Sequence, residues 1–368
     1  MVAPIRVAHV IGKMIGGGVE QVVMNYYRHI DYERVQFDFL VDADSTLVPV
    51  GEIEALGGRV FTVPPYQHLA AYERELERLF REERWPIVHS HINALSVFPL
   101  YAAKRAGVPV RIAHSHSTAG KGETAKNAVK SVLKQFANVY PTHRMACSKY
   151  AGEWLFGKGA DFEVIYNAID LSCFSFNAEA RARARADLGL VGGQLAVGHV
   201  GRFMPQKNHR FLIDAFAELA RLRSDAVLLL VGSGEAEALA ESWAAERGVA
   251  DRVRFLGQRA DVGRLYQAFD AFALPSLYEG LCLVGVEAQA AGLPCFLSDQ
   301  ITREVDVTGT VRFLPIDNPS AWAAALAEVE PGGRIEAHRE DFENYDIDCA
   351  ASKLAARYLE LAKETNVG

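Results

Sequence analysis

Two doubly wound α/β domains facing a central cleft are predicted by three observations. Short β-branched runs alternate with amphipathic stretches through the first half of the chain. The same alternation restarts near Leu195, and periodicity lapses between the two sets from Tyr166 to about Ala178. Strands alternating with helices build parallel sheets, so two such sets make two domains. In the first set, Arg6–Ile11, Val35–Val41, Val60–Val63, Ile87–His89, Val110–His114 and Met145–Cys147 read as strands. Glu20–His29, Leu69–Arg84 and Ala94–Ala106 read as helices packed on them. The second set supplies Leu195–Val200, Ala226–Val231, Val253–Leu256, Ala271–Leu274, Pro294–Leu297 and Val311–Leu314. After an irregular acidic stretch, Ala350–Lys363 is a helix expected to pack back on the first domain. The expected domains are therefore 1–172, to which 348–368 returns, and 173–347. In such sheets ligands gather at the C-terminal ends of the strands.

Composition narrows the function. The 368 residues are 50% hydrophobic and 23% charged, enough for two ordinary cores. No apolar run reaches the ~20 residues that span a bilayer. The first strand begins almost at Met1, which leaves no room for a signal peptide. Five cysteines without CxxC spacing suit free thiols in a reducing compartment, so a cytoplasmic location is expected. A net charge of −7 gives no support to nucleic-acid binding.

Four motifs carry chemistry. Glu279 and Glu287 stand eight positions apart, the second inside the run Leu283–Ala291, which is otherwise apolar or small apart from Gln289. A carboxylate there is costly unless something hydrogen-bonds it, and ligand hydroxyls are one such partner. Arg202 and Lys207 share one loop after the first strand of the second set, a guanidinium fork and a compact cation suited to a diphosphate. Gly16, Gly17 and Gly18 lie between the first strand and its helix, where backbone can approach a ligand and a helix N-terminus favours anions. A plain tight turn, or a dinucleotide site with Asp42 as ribose acid, also fits that loop, although the spacing is not G-x-G-x-x-G. Finally, His89/His91 and His114/His116 form two HxH pairs at strand ends. Their side chains point the same way, which would suit zinc and a metal-dependent hydrolase if a third ligand were at hand; backbone-bonded histidines are the plainer alternative.

Together the glycine loop, the G-R-F-x-x-Q-K-N segment at Gly201–Asn208, the E-x7-E pair and Val164–Asp170 resemble the retaining nucleotide-sugar glycosyltransferases of family 4, which have the GT-B fold of two Rossmann-like domains. Val88–Asn93, Arg111–Ser117 and Tyr345–Ile347 look most like bacterial exopolysaccharide or capsule enzymes. The resemblance implies that Arg202 and Lys207 hold the donor diphosphate and that Glu287 takes the ribose hydroxyls. It places Glu279 on the transferred sugar beside Gly280, Leu281, Cys282 and Leu283. Gln258 and Arg259 would lie by the nucleobase, the glycine loop by the donor, and His116 near the reacting carbons. It implies a UDP-sugar donor, a lipid-linked or saccharide acceptor, retention of configuration, and no metal or other cofactor. A UDP-sugar 2-epimerase shares the architecture and is the enzyme alternative.

One surface feature remains. Lys121–Lys158 holds seven basic and two acidic residues, a local balance of +5. Lys126, Lys130 and Lys134 recur every four residues beside Val129, Val132, Leu133 and Phe136. That is either an ordinary solvated helix face or a patch that docks peripherally on an anionic membrane surface.

Overall fold

The computed structural model describes residues 3–116, 131–279 and 282–364. The chain divides into two compact units, one of 1–168 with 344–368 and the other of 169–343. Gly280, Leu281, Lys126 and Lys130 lie outside the described residues.

The first unit is built on seven parallel strands, β1 (Ile5–Gly12), β2 (Val35–Asp42), β3 (Arg59–Val63), β4 (Ile87–Ser90), β5 (Val110–Ser115), β6 (His143–Ala146) and β7 (Glu163–Val164), in the order β3-β2-β1-β4-β5-β6-β7. All eight residues of β2 are buried, as a strand covered on both faces requires. β7 has two residues, too short to show a period in the sequence. The helix Ile347–Glu364 belongs to this unit. It presents Tyr358, fully buried, to β4, and its Arg357 pairs with Glu163 of β7.

The second unit holds β8 (Leu195–Val200), β9 (Ala226–Val231), β10 (Val253–Phe255), β11 (Ala271–Leu274), β12 (Cys295–Ser298) and β13 (Arg312–Leu314), all parallel, ordered β10-β9-β8-β11-β12-β13. Every residue of β8 and β9 is buried. Asp270, just ahead of β11, is buried but satisfied: Arg181 and Arg185 pair with it, and the amides of Ala196 and Gly332 donate to it at 2.8 and 2.7 Å. A buried carboxylate with that many donors fixes the β8–β11 junction instead of weakening it.

In each sheet the strand order reverses once, between β1 and β4 and between β8 and β11. Loops leaving such neighbours splay to opposite faces and open a crevice at the strand ends. The sequence motifs sit at these two points.

Candidate active site

In the second unit, the loop after β8 meets the loop after β11. Leu277 donates its amide to the Gln206 carbonyl at 2.8 Å. Gln206 then turns its side-chain amide onto the Tyr278 carbonyl at 2.8 Å and the Glu279 carboxylate at 3.1 Å. Lys207 donates to the other Glu279 oxygen at 2.7 Å, with 14% and 10% of the two side chains exposed. Burial opposes the Lys207 charge, but Glu279 and, behind it, Cys282 hold its pKa above the ordinary lysine value. The cation is thus ready-made, and Glu279 is the counter-ion that keeps it in place.

Gly201 explains how Lys207 gets there. A Cβ at Gly201 would stand 3.1 Å from Lys207 Cε, and one at Gly232 only 2.1 Å from the Gly201 carbonyl. Gly232 has φ +138°, so backbone stacks on backbone at the strand ends and the lysine stem lies across it. Arg202, next along, is exposed and has no ion pair among the described residues.

Glu287 is partly buried on the helix Leu283–Ala290. Its distant partner is neither a cation nor an amide: Tyr266 donates its hydroxyl to Oε2 at 2.9 Å. Burial pushes the Glu287 pKa up to about 7 against that hydrogen bond and the Lys207 charge. Among the described residues one side of the carboxylate is left without a donor, the demand that vicinal hydroxyls would meet. Cys282 caps this helix as a buried thiol, its pKa pushed to about 12 by burial and by Glu279, so it is a neutral wall beside the ion pair. Leu283 opens the helix. Gln258 and Arg259 are exposed after β10, and Arg259 is clamped by Asp261 at 2.7 Å, leaving backbone as the main offering there.

In the first unit, the glycine loop is already full. The amides of Ile15, Gly16 and Gly17 donate to the Glu20 carboxylate at 2.6–3.1 Å. Gly16, at φ +85°, makes that curl possible. Glu20 is 7% exposed and stands three residues after the N-cap Gly17, a capping-box spacing that the sequence displays. A cavity of about 360 Å³ adjoins the loop, lined by Lys13, Ile15, Gly18, Asn93 and Trp154 among others. Glu20→Ala should destabilise this unit by about 1–3 kcal/mol, the penalty for orphaned buried donors. A urea midpoint that does not move would show the loop to be held otherwise.

The histidines need correcting. They are bonded mainly to one another, not to the backbone, and a fifth, His9 of β1, joins them. Tyr358 Oη lies 2.6 Å from His89 Nδ1, and His89 Nε2 lies 3.0 Å from His114 Nδ1. In parallel, His9 Nδ1 lies 2.9 Å from His91 Nε2, and His91 Nδ1 lies 2.8 Å from His116 Nε2. All five are buried. Three-histidine sets do bring nitrogens within 4.8 Å of one another, so the third ligand exists. Those nitrogens face each other as hydrogen-bonded pairs, however, and the cavity beside them is walled by Val22, Val23, Phe37 and Leu354 with no carboxylate. A metal site ordinarily has its ligands' outer nitrogens anchored to carboxylates or carbonyls. Here the outer nitrogens of His9, His114 and His116 have no partner among the described residues.

Lys134, the one lysine of the basic stripe among the described residues, is half-buried with its ammonium 5.1 Å over the Trp154 ring. Val132, Phe136 and Val139 beside it are exposed. Among the described residues no helix is long and apolar enough to cross a membrane.

Residues 17–168 match the family described as Glycosyl transferase 4-like domain, and 180–346 match Glycosyl transferases group 1. Over 340 residues the chain is 38% identical to EpsF of Bacillus subtilis (strain 168), named as a glycosyltransferase, covering 89% of this chain and 88% of that one. This chain is a family 4 glycosyltransferase. It is also 27% identical over 311 residues, 80% of this chain and 79% of the other, to the Escherichia coli UDP-Gal:alpha-D-GlcNAc-diphosphoundecaprenol alpha-1,3-galactosyltransferase. The GT-B fold is shared with HepE of Anabaena, solved with UDP (TM-score 0.75, 19% identity, 98% of each chain). A glycosyltransferase of Rickettsia africae superposes at TM-score 0.77 with 16% identity and 98% of each chain. For this glycosyltransferase the epimerase and hydrolase alternatives fall away. Tyr266, Glu20 and His9 are the site residues that sequence reading missed, and Gln206 was read only as part of the G-R-F-x-x-Q-K-N segment. Glu20 alone had a local signal.

Proposed function

We propose that this glycosyltransferase moves a hexosyl-type group from a UDP-sugar to a lipid-linked or saccharide acceptor in polysaccharide biosynthesis, with retention and without a metal. The observation that carries the reading is the Lys207–Glu279 pair beside unpaired Arg202, at the reversal point of a parallel sheet. Two cations at one strand end can compensate a departing diphosphate as its charge develops. Glu279 then exchanges Lys207 for hydroxyls of the sugar, and Glu287 takes the ribose hydroxyls opposite Tyr266. Leaving-group phosphate oxygens take the acceptor's proton. By resemblance His116 is assigned to the transferred sugar, whereas the amides of the glycine loop are already taken by Glu20. Support for the donor comes from HepE, solved with UDP and with UDP-glucose, and for the acceptor from the Escherichia coli relative's diphosphoundecaprenol substrate. The exposed Val132, Phe136 and Val139 near Lys134 fit peripheral docking on an anionic membrane at the cytoplasmic face.

Thermal-shift measurements with UDP, GDP, ADP and their sugars at millimolar dose test the donor, since a ligand raises the melting point by mass action. Stabilisation by uridine nucleotides is expected, and none by any nucleotide would refute the assignment. The anomeric configuration of the product, read by NMR, tests retention.

Glu287 adds a pH signature. Its folded pKa of about 7 lies above the ordinary 4.5, so its share of stability is present at low pH and is lost as pH rises through 7. Nucleotide that uses the carboxylate must expel that proton. Calorimetry at pH 6 in buffers of different ionisation enthalpy should show about one proton released on UDP binding, and none at pH 8.5. Glu287→Gln should abolish the difference; a difference that survives would place the proton elsewhere.

A further inference from the structure

The imidazole chain His9–His91–His116 runs through the buried interior of the first unit and ends at the histidine proposed for the reacting site. We infer that His9 and His91 are positioning residues that hold His116 as a neutral imidazole protonated at Nδ1. This rests on the proposed placement of His116, but the chain itself stands on geometry.

All three rings are buried, so each carries a single proton; burial holds His9, His91 and His116 well below the ordinary histidine value. With one N–H per ring, two hydrogen bonds of 2.9 and 2.8 Å allow only two polarities. In the first, each ring donates from Nδ1 to the next ring's Nε2. His116 is then left with an Nδ1–H, and His9 with a bare lone pair at Nε2. In the second, the donors reverse, His9 Nε2 carries the spare hydrogen and His116 Nδ1 the spare lone pair.

The surroundings of His116 decide between them. His9 packs 3.9 Å, centroid to centroid, from the Phe37 ring, and its Nε2 has no partner among the described residues. Either form leaves one unmet group at His9 Nε2 at comparable cost, so this end does not choose between them. At the other end, His116 Nδ1 and the Asn167 side-chain oxygen are both buried without a partner among the described residues, and Asn167 raises the basicity of His116; an Nδ1–H is the tautomer that could meet that oxygen. The first polarity supplies that oxygen with a donor. Asn93, held at φ +53°, accepts from the His116 backbone amide at 2.8 Å and fixes the residue from its other side.

A ring locked this way has no lone pair for general-base work: Nε2 accepts from His91 and Nδ1 carries the proton. Deprotonating the acceptor therefore falls to the departing diphosphate, and His116 acts as a fixed neutral group.

Long-range ¹⁵N–¹H correlation spectra of the full chain labelled at histidine nitrogens read the tautomers directly. Three Nδ1–H tautomers are expected for His9, His91 and His116, unchanged from pH 6 to 8. An Nε2–H tautomer at His116 in the unmodified protein would overturn the inference without need of a variant. His91→Phe should mix the His116 tautomers and lower kcat about tenfold, the rate equivalent of one net hydrogen bond, with the donor KM unchanged. His91→Gln, which can accept and donate at once, should restore both. If His91→Phe leaves the His116 tautomer alone, the chain does not set it and the inference fails. If the tautomer mixes but turnover stays whole, the chain stands and the placement of His116 at the reacting site is what fails. Zinc at one equivalent that shifts these ring nitrogens would overturn the chain in favour of a metal centre.

Discussion

Lys207→Met is expected to lower kcat by roughly 10²–10³-fold, the range for removing one preorganised charge-stabilising donor, and to weaken UDP binding as well. Methionine keeps much of the stem that lies across Gly201, so packing is spared while the charge goes. What remains is Glu279, 10% exposed and, among the described residues, held only by Gln206 on its other oxygen. An uncompensated carboxylate at the mouth of a diphosphate site acts twice: it repels the ligand, and it burdens the fold. Arg202, exposed, cannot replace a mostly buried cation. Steady-state kinetics with a UDP-sugar and calorimetry with UDP separate the two losses. A variant within tenfold of the parent in both would mean that Lys207 is a structural ion-pair partner and nothing more.

The fold was legible because its signals are periodic and redundant. Fully buried strands such as β2, β8 and β9 are continuous apolar runs, and the loss of period near Tyr166 lies at the join of the units at 168/169. The expected boundaries at 172 and 347 lie a little past the observed ones at 168 and 343, because the segments there carry no period to mark an edge. The cation loop and the two glutamates were legible for a different reason: charge in an apolar setting needs an explanation. Their partners were not. Tyr266 stands 21 residues from Glu287 and Gln206 stands 73 from Glu279. Such pairings are set by which loops the sheet order brings together, and no local pattern reports them. The histidines show the opposite failure. HxH spacing was visible, but His9 sits in an apolar strand eighty residues upstream, and only the pairing of β1 with β4 puts it in register with His89. Spacing alone could therefore suggest a metal while hiding the ring-to-ring hydrogen bonds.

Glu279→Gln separates the two duties that the ion pair combines. Glutamine keeps an acceptor for Gln206 but drops the charge, so Lys207 is released toward an incoming diphosphate. UDP should bind as well as to the parent or more tightly, while transfer should fall by about 10²-fold or more, because a neutral amide is a weaker acceptor for hydroxyls of a sugar gaining positive charge. Opposite movements of affinity and turnover from one substitution are hard to produce by misfolding, which lowers both. The cycle with Lys207→Met sharpens the point: if the two side chains act as a unit, the double variant should be little slower than the worse single one. Full additivity would instead place Lys207 and Glu279 in separate roles, with their 2.7 Å contact a feature of the ligand-free state alone.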